Sequence, residues 1–181
     1  AGFYDDDTEE MAVICGSGFS GMERMTYSHE YTHVLQDQTY DLEEGLGYDE
    51  ELCDLDSERC AGLQALIEGD ATLLEEQWMT MYATQEDLME AVEYISNLDT
   101  PVYDSAPRFL RQDILFPYQA GKNFVETIFR DGGWAAVDAV YYDPPNSTEQ
   151  ILHPERYPHD DPVKLIIPDV TDSLGNGWSM V

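Results

Sequence analysis

The chain has few positive charges. Lysine occurs only at Lys122 and Lys164, and all basic residues together number 8 against 38 acidic ones. The resulting net charge of −30 disfavours nucleic-acid phosphates and anionic lipid surfaces as partners, because those carry the same sign. Apolar runs are also short, such as "MAVIC" and "LII", so we expect no membrane span in this chain.

Cysteine is scarce as well. Three residues are too few for a disulfide scaffold. The sequence contains no Cys-x-x-Cys pair, which excludes a thiolate zinc ribbon. Cys53 and Cys60 are close enough in sequence to form a short disulfide loop that leaves Cys15 free, but buried reduced thiols fit the sequence equally well.

The chain nevertheless has enough apolar residues for a packed core. Its hydrophobic content of 43% and aromatic content of 12% exclude a disordered chain despite the charge. A length of 181 residues predicts a single domain over 1–181. The lysine-poor, evenly acidic composition resembles that of proteins from salt-loving organisms, while an ordinary acidic protein with calcium sites remains the alternative.

Apolar periodicity predicts an α+β fold that is predominantly helical. The start, "GFYDDDTEEMAVIC", has the pattern of a small N-terminal β-hairpin. Apolar residues at three- and four-residue steps then predict helices over 22–40, 55–83, 85–96 and within 109–130, followed by one in "GGWAAVDAVYYD". Pro117 is expected to kink or restart the fourth of these helices. Residues 41–53 are expected to form a loop, and 163–167 are strand-like.

The segment "HEYTH" is the strongest chemical signal. On a helix, His29 and His33 lie on one face roughly 6 Å apart, so both imidazoles can bind one tetrahedral zinc ion. Glu30 is rotated by about 100° from His29, which suits a base that takes a proton from metal-bound water. The spacing therefore predicts a zinc site with its catalytic base.

A catalytic zinc of this type requires a third protein ligand. The best candidate is Glu68 in "LIEGDA", because an unpaired carboxylate in that apolar helical setting would be costly. Glu58 and Glu75 are weaker alternatives. Asp70 is a candidate for bonding the second nitrogen of a ligand imidazole, and Asp37 competes for the same role.

These motifs resemble those of the gluzincin metallopeptidases, which bind zinc through two histidines of H-E-x-x-H and a glutamate of a later helix. "EGDA" is similar to the ligand segment of their aminopeptidase branch, and "FPYQAGKNFVETIFRDGG" is similar to a Pro-Tyr-x-x-Gly segment there. The resemblance implies a zincin-like fold, Zn²⁺ as cofactor, a peptide or protein substrate, and Tyr118 as the donor that stabilises the oxyanion.

The chain also departs from that branch. The interval between His33 and Glu68 is longer, and the segment that recognises a substrate amino terminus has no counterpart, so exopeptidase action is not implied. "PPNSTEQILHPERY" resembles a segment of little-characterised bacterial and archaeal relatives. His153, within it, is a candidate proton donor or substrate contact, or a residue that fixes its own loop.

Two other interpretations compete with a zinc peptidase. A zincin-fold protein could bind zinc without cleaving peptides, and serve as a scaffold or interaction protein. An acidic calcium-binding module would draw on "DDD" and "DLDSE", but neither segment has the glycine-containing loop of a calcium hand. Secretion or attachment to the cell surface is favoured over a cytoplasmic location, and the sequence does not indicate the oligomeric state.

Overall fold

The computed structural model describes residues 2–15, 18–163, 165 and 168. This part is predominantly helical with one small antiparallel sheet, as expected for the α+β class. The elements in chain order are β1 (Gly2–Asp5), β2 (Glu10–Val13), α1 (Gly21–Tyr40), α2 (Glu50–Leu55), α3 (Ser57–Met81), α4 (Gln85–Asn97), α5 (Pro101–Ser105), α6 (Arg108–Gly132), α7 (Trp134–Val140), α8 (Thr148–Leu152) and a 3₁₀ turn at Pro154–Arg156.

The predicted N-terminal hairpin is confirmed and lies against α1. β1 and β2 pair antiparallel, with Gly2 opposite Val13 and Asp5 opposite Glu10. Both strands contact α1. The Tyr4 hydroxyl donates a 2.7 Å hydrogen bond to Asp37 near the end of that helix. The hairpin therefore covers one side of the helix that carries "HEYTH".

The core lies where α3 crosses α6. Leu63 and Leu66 of α3 and Phe124 of α6 are fully buried there. The two backbones approach closely because both helices have glycine at the crossing. A Cβ added at Gly69 would lie 2.2 Å from the carbonyl carbon of Gly121, so no larger residue fits without moving the helices apart. This crossing sets the position of the middle of α3.

Local signals explain where the main helices begin. Ser20 and Glu23 form a capping box at the start of α1, which satisfies backbone N–H groups that have no partner inside the helix. The Asp56 carboxylate accepts from the backbone N–H of Arg59 at the start of α3. Thr84 and Asp87 form a second capping box at α4.

The structure differs from the sequence expectations at 41–53 and at Pro117, and it adds two short helices that were not predicted, α5 and α8. The loop expected over 41–53 ends earlier, because Asp49 caps a short helix, α2, through the backbone N–H of Leu52. Pro117 does not restart the fourth predicted helix, since α6 runs from Arg108 to Gly132 with Pro117 inside it. Of the strand-like segment 163–167, residues 164, 166 and 167 lie outside the described residues.

The structure decides between the two states that the sequence left open for the cysteines. Cys53 of α2 and Cys60 of α3 form a disulfide, and Cys15 is free and exposed. Of the helices in the described part of the chain, none is long and apolar enough to cross a membrane.

Candidate metal centre

Three side chains from two helices converge on one point. His29 and His33 lie one turn apart on α1, and Glu68 faces them from the middle of α3. The Nε2 atoms of the two histidines are 3.2 Å apart. Glu68 Oε2 lies 3.1 Å from Nε2 of His29 and 3.5 Å from Nε2 of His33. Glu68, the candidate third ligand, therefore lies beside both histidines.

The triangle of donor atoms has the size that a metal ion requires. Tetrahedral zinc with bonds of about 2.0–2.1 Å holds its ligand atoms roughly 3.3 Å apart. The three separations of 3.1, 3.2 and 3.5 Å lie on both sides of that value. Two imidazole nitrogens with one carboxylate oxygen suit zinc better than calcium or magnesium, which prefer oxygen ligands. The group His29–His33–Glu68 can hold a metal ion.

The His29 imidazole and the Glu68 carboxylate each favour the charged form of the other. Burial alone would lower the pKa of His29, but the carboxylates of Glu68 and Glu75 outweigh it and raise that pKa to about 9. Burial alone would raise the pKa of Glu68, but the two imidazoles lower it to about 2. Metal ligands must be unprotonated, so a metal ion would take the place of the proton that His29 carries without metal.

Glu75, which the sequence suggested as a weaker ligand, lies on the outer side of His29. One of its carboxylate oxygens is 3.2 Å from Nδ1, the nitrogen that faces away from Glu68. The contact is at ion-pair distance, although its direction falls outside that of a hydrogen bond. The negative charge of Glu75 favours the protonated form of His29, and its position lies where an orienting partner of a metal-binding imidazole would lie.

His33 is held by Gln36, which was not predicted to contact either imidazole. Its Nδ1 lies 2.8 Å from Oε1 of Gln36, one turn along α1. Gln36 in turn contacts Asp70 and the hydroxyl of Tyr141. Asp70 therefore reaches the ligand imidazole through Gln36 rather than directly. The signal available in the sequence was the three-residue spacing of His33 and Gln36, which places them on one helix face.

Glu30 is buried beside the three candidate ligands. Its side chain packs on the backbone of β1, since a Cβ at Gly2 would lie 2.9 Å from its Cγ. Burial raises the pKa of Glu30, and the charges of His33 and His29 partly offset that rise. A carboxylate with a raised pKa holds a proton more readily than an exposed one, which favours a role in proton transfer.

Tyr118 of α6 completes the group from the third helix. Its hydroxyl donates to Oε1 of Glu68 over 3.3 Å, while Oε2 of the same carboxylate faces the histidines. Burial, with the negative charge of Glu68, raises the pKa of Tyr118 to about 12. The phenol therefore keeps its proton at neutral pH and remains a hydrogen-bond donor.

The remaining candidates lie outside this group. The His153 imidazole is half-exposed and lies 3.3 Å from Glu155. Glu58 accepts from the backbone N–H and the hydroxyl of Thr148. Asp37 accepts from the hydroxyl of Tyr4 rather than from an imidazole. Six residues were predicted as zinc ligands or catalytic groups. The structure brings five of them together, namely His29, Glu30, His33, Glu68 and Tyr118, and His153 lies elsewhere.

Comparisons of the chain with protein-family models, with curated proteins and with solved structures found no match. What the protein does must therefore be inferred from the chemistry of these side chains. The centre contains three potential metal ligands, a buried carboxylate next to one of them, and a phenol donor, supplied by α1, α3 and α6.

Proposed function

We propose that the protein is a zinc-dependent peptide hydrolase with a zincin-like catalytic domain of the gluzincin type. The observation that carries this proposal is the triangle formed by Nε2 of His29, Nε2 of His33 and Oε2 of Glu68. Its edges match the ligand separations of tetrahedral zinc, and the ligands come from the elements that the gluzincin resemblance implies.

Bound zinc would lower the pKa of a coordinated water and polarise the scissile carbonyl. Glu30 would take the proton of the attacking water and deliver it to the leaving amine. Two features support this role: the residue follows His29 directly on α1, and its carboxyl group is buried with a raised pKa.

Tyr118 is the proposed donor to the oxyanion of the tetrahedral intermediate. Its phenol is protonated at neutral pH and lies at the edge of the centre, where it is partly exposed to an incoming substrate. Turning from Glu68 towards the substrate would exchange one hydrogen bond for another, so the stabilisation would be specific to the transition state.

The net charge of the protein indicates which class of peptide it would attract. A surface with a net charge of −30 would repel acidic peptides and attract neutral or cationic ones at low salt. High salt shortens the range of this attraction to a few Å, so the preference should weaken as salt is added.

The test is hydrolysis of a quenched-fluorescent peptide library by zinc-loaded protein, from low salt to molar salt, beside Glu30→Gln. The variant is expected to bind one zinc per chain by metal analysis, because Glu30 is not a ligand, and to lose at least ~100-fold in turnover. Glu93→Gln, an exposed change on α4, is the matched control and should hydrolyse like the wild type.

Each contrary result has a distinct meaning. Turnover retained in Glu30→Gln would contradict the role of Glu30 as base. Calcium bound in place of zinc would contradict the metal assignment. Stoichiometric zinc with no hydrolysis by the wild type across the library and the salt range would favour the zinc-binding scaffold over the enzyme.

A further inference from the structure

Behind His33 lies a buried polar network that joins three helices. Gln36 of α1, Asp70 of α3 and Tyr141 at the end of α7 are all buried. Nε2 of Gln36 lies 3.0 Å from the carbonyl oxygen of Ile67 and 2.9 Å from both Asp70 Oδ2 and the Tyr141 hydroxyl. Removing so many polar groups from water is costly unless each has a partner, which this network provides.

The network fixes which way the Gln36 amide points. The carbonyl of Ile67 can only accept a hydrogen bond, so the group that faces it must be the NH₂ of Gln36. The Tyr141 hydroxyl donates its own hydrogen to Asp70 over 2.8 Å, which leaves its oxygen to accept from the same NH₂. The reverse orientation would set the Gln36 oxygen against these acceptors. Oε1 must therefore face His33.

The orientation of Gln36 in turn decides the hydrogen position on His33. Oε1 of Gln36 can only accept, and it lies 2.8 Å from Nδ1 of His33. Nδ1 must then carry the hydrogen, and in the neutral ring the lone pair is on Nε2. Nε2 is the atom that faces His29 and Glu68. A metal ligand needs a lone pair at that position.

We propose that Gln36 is a positioning residue that holds His33 in the tautomer with its lone pair facing the metal centre, and that Ile67, Asp70 and Tyr141 fix Gln36 for this purpose. The proposal rests on the metal-binding part of the proposed function and not on peptide hydrolysis. It assigns the two ligand histidines different supports, the Glu75 carboxylate at His29 and the neutral Gln36 amide at His33.

The direct test is the ring ¹⁵N–¹H correlation spectrum of zinc-free protein, recorded where His33 is neutral. Wild type should show the hydrogen of His33 on Nδ1. Gln36→Met keeps the length of the side chain but has no acceptor, so both tautomers should appear and zinc should bind about 10–100-fold more weakly in a chelator competition. Gln38→Met, exposed on the same helix, is the control and should match wild type in both measurements.

A wild-type spectrum with the hydrogen on Nε2 overturns the proposal, and it does so even where Gln36→Met fails to fold. A folded Gln36→Met with an unchanged tautomer also overturns it, because stability alone would then account for the network. Wild type that binds no zinc contradicts the proposed function instead, since the tautomer is read without metal. Tyr141→Phe provides a milder change, expected to weaken zinc binding several-fold, with the exposed Tyr142→Phe as its control.

Discussion

Two regions of the molecule use their apolar residues in opposite ways. Around the candidate metal centre, the middle of α3 and the second half of α6 bury large apolar side chains, such as Leu66 and Phe124, which are 0% exposed. The exposed arm, which we define as residues 85–115, comprises α4, α5 and the start of α6 and leaves large apolar side chains in contact with solvent. These include Met89, Val92, Tyr94, Ile95, Leu98, Val102, Phe109, Leu110 and Ile114.

Polar contacts join the start of the arm to α1. Arg24 of α1 pairs with Asp87 of α4 at 2.7 Å, and Glu90 accepts from the backbone N–H of Gly21 over 2.7 Å. Contacts of this kind contribute little net stability compared with apolar burial. The metal centre therefore belongs to the part of the chain with the highest expected resistance to unfolding, and the arm to the part that opens most easily.

The largest expected effect is on the free energy of unfolding, and it differs between two phenylalanines of one helix. Phe124 is 0% exposed and Phe109 is 69% exposed, although both belong to α6. Phe124→Ala should lower the free energy of unfolding by about 4 kcal/mol, since it removes a fully buried ring from the core. Phe109→Ala should change it by less than about 0.5 kcal/mol. Denaturant unfolding followed by circular dichroism measures both.

A large loss of unfolding free energy in Phe109→Ala would contradict the contrast between the buried core and the exposed arm. It would mean that the exposed arm buries its apolar face in solution against a second copy or another part of the chain. Repeating the measurement at several protein concentrations would distinguish these two causes, because only the first depends on concentration.

A second prediction concerns the helix crossing that positions Glu68. A methyl group at Gly69 would meet the backbone of Gly121 at 2.2 Å, so Gly69→Ala must push α3 and α6 apart. We expect a loss of about 3 kcal/mol in unfolding free energy, together with weaker zinc binding, because Glu68, the proposed ligand, is the adjacent residue. Thermal unfolding and chelator competition measure the two effects.

Gly18→Ala is the control for that variant, since a Cβ at Gly18 meets nothing within 4 Å. It should leave both the unfolding free energy and zinc binding close to those of wild type. If Gly69→Ala is destabilised while its zinc affinity is unchanged, the crossing supports the fold but does not set the position of the ligand.

The main helices and most of the candidate site could be predicted from the sequence. Helices α1, α3, α4 and α6 were predicted close to their observed bounds, because apolar spacing is a local signal. His29, His33 and Glu30 were predictable from one short segment, whose spacing alone places both imidazoles on one helix face. Glu68 was predicted because a carboxylate in an apolar helix needs a partner.

The sequence could not predict contacts that depend on how helices pack. Glu75 and Asp70 were both candidates near the metal, but only the packing of α1 on α3 decides that Glu75 lies at His29 and that Asp70 reaches His33 through Gln36. Tyr141 lies far from Gln36 in the chain, so no spacing rule relates them. The exposure of the arm was equally hidden, since an apolar stripe is the usual mark of a buried face.

The smallest expected effect is on the local stability of α4, and it tests whether the exposed arm unfolds separately from the rest of the protein. The Thr84 hydroxyl accepts from the backbone N–H of Asp87 and caps α4. Thr84→Ala should remove about 1 kcal/mol from the stability of α4, which hydrogen exchange would show as faster exchange of amides 88–97. Amides of α3 should exchange as in wild type, because opening of the arm leaves the crossing of α3 with α6 intact.

The matched control is Thr127→Ala on α6, whose hydroxyl donates to the carbonyl of Asn123 one turn back. This variant should leave the exchange of α4 amides unchanged. Faster exchange in both α4 and α3 of Thr84→Ala would mean that the arm and the metal centre unfold as one cooperative unit, and that the contrast in burial does not extend to stability.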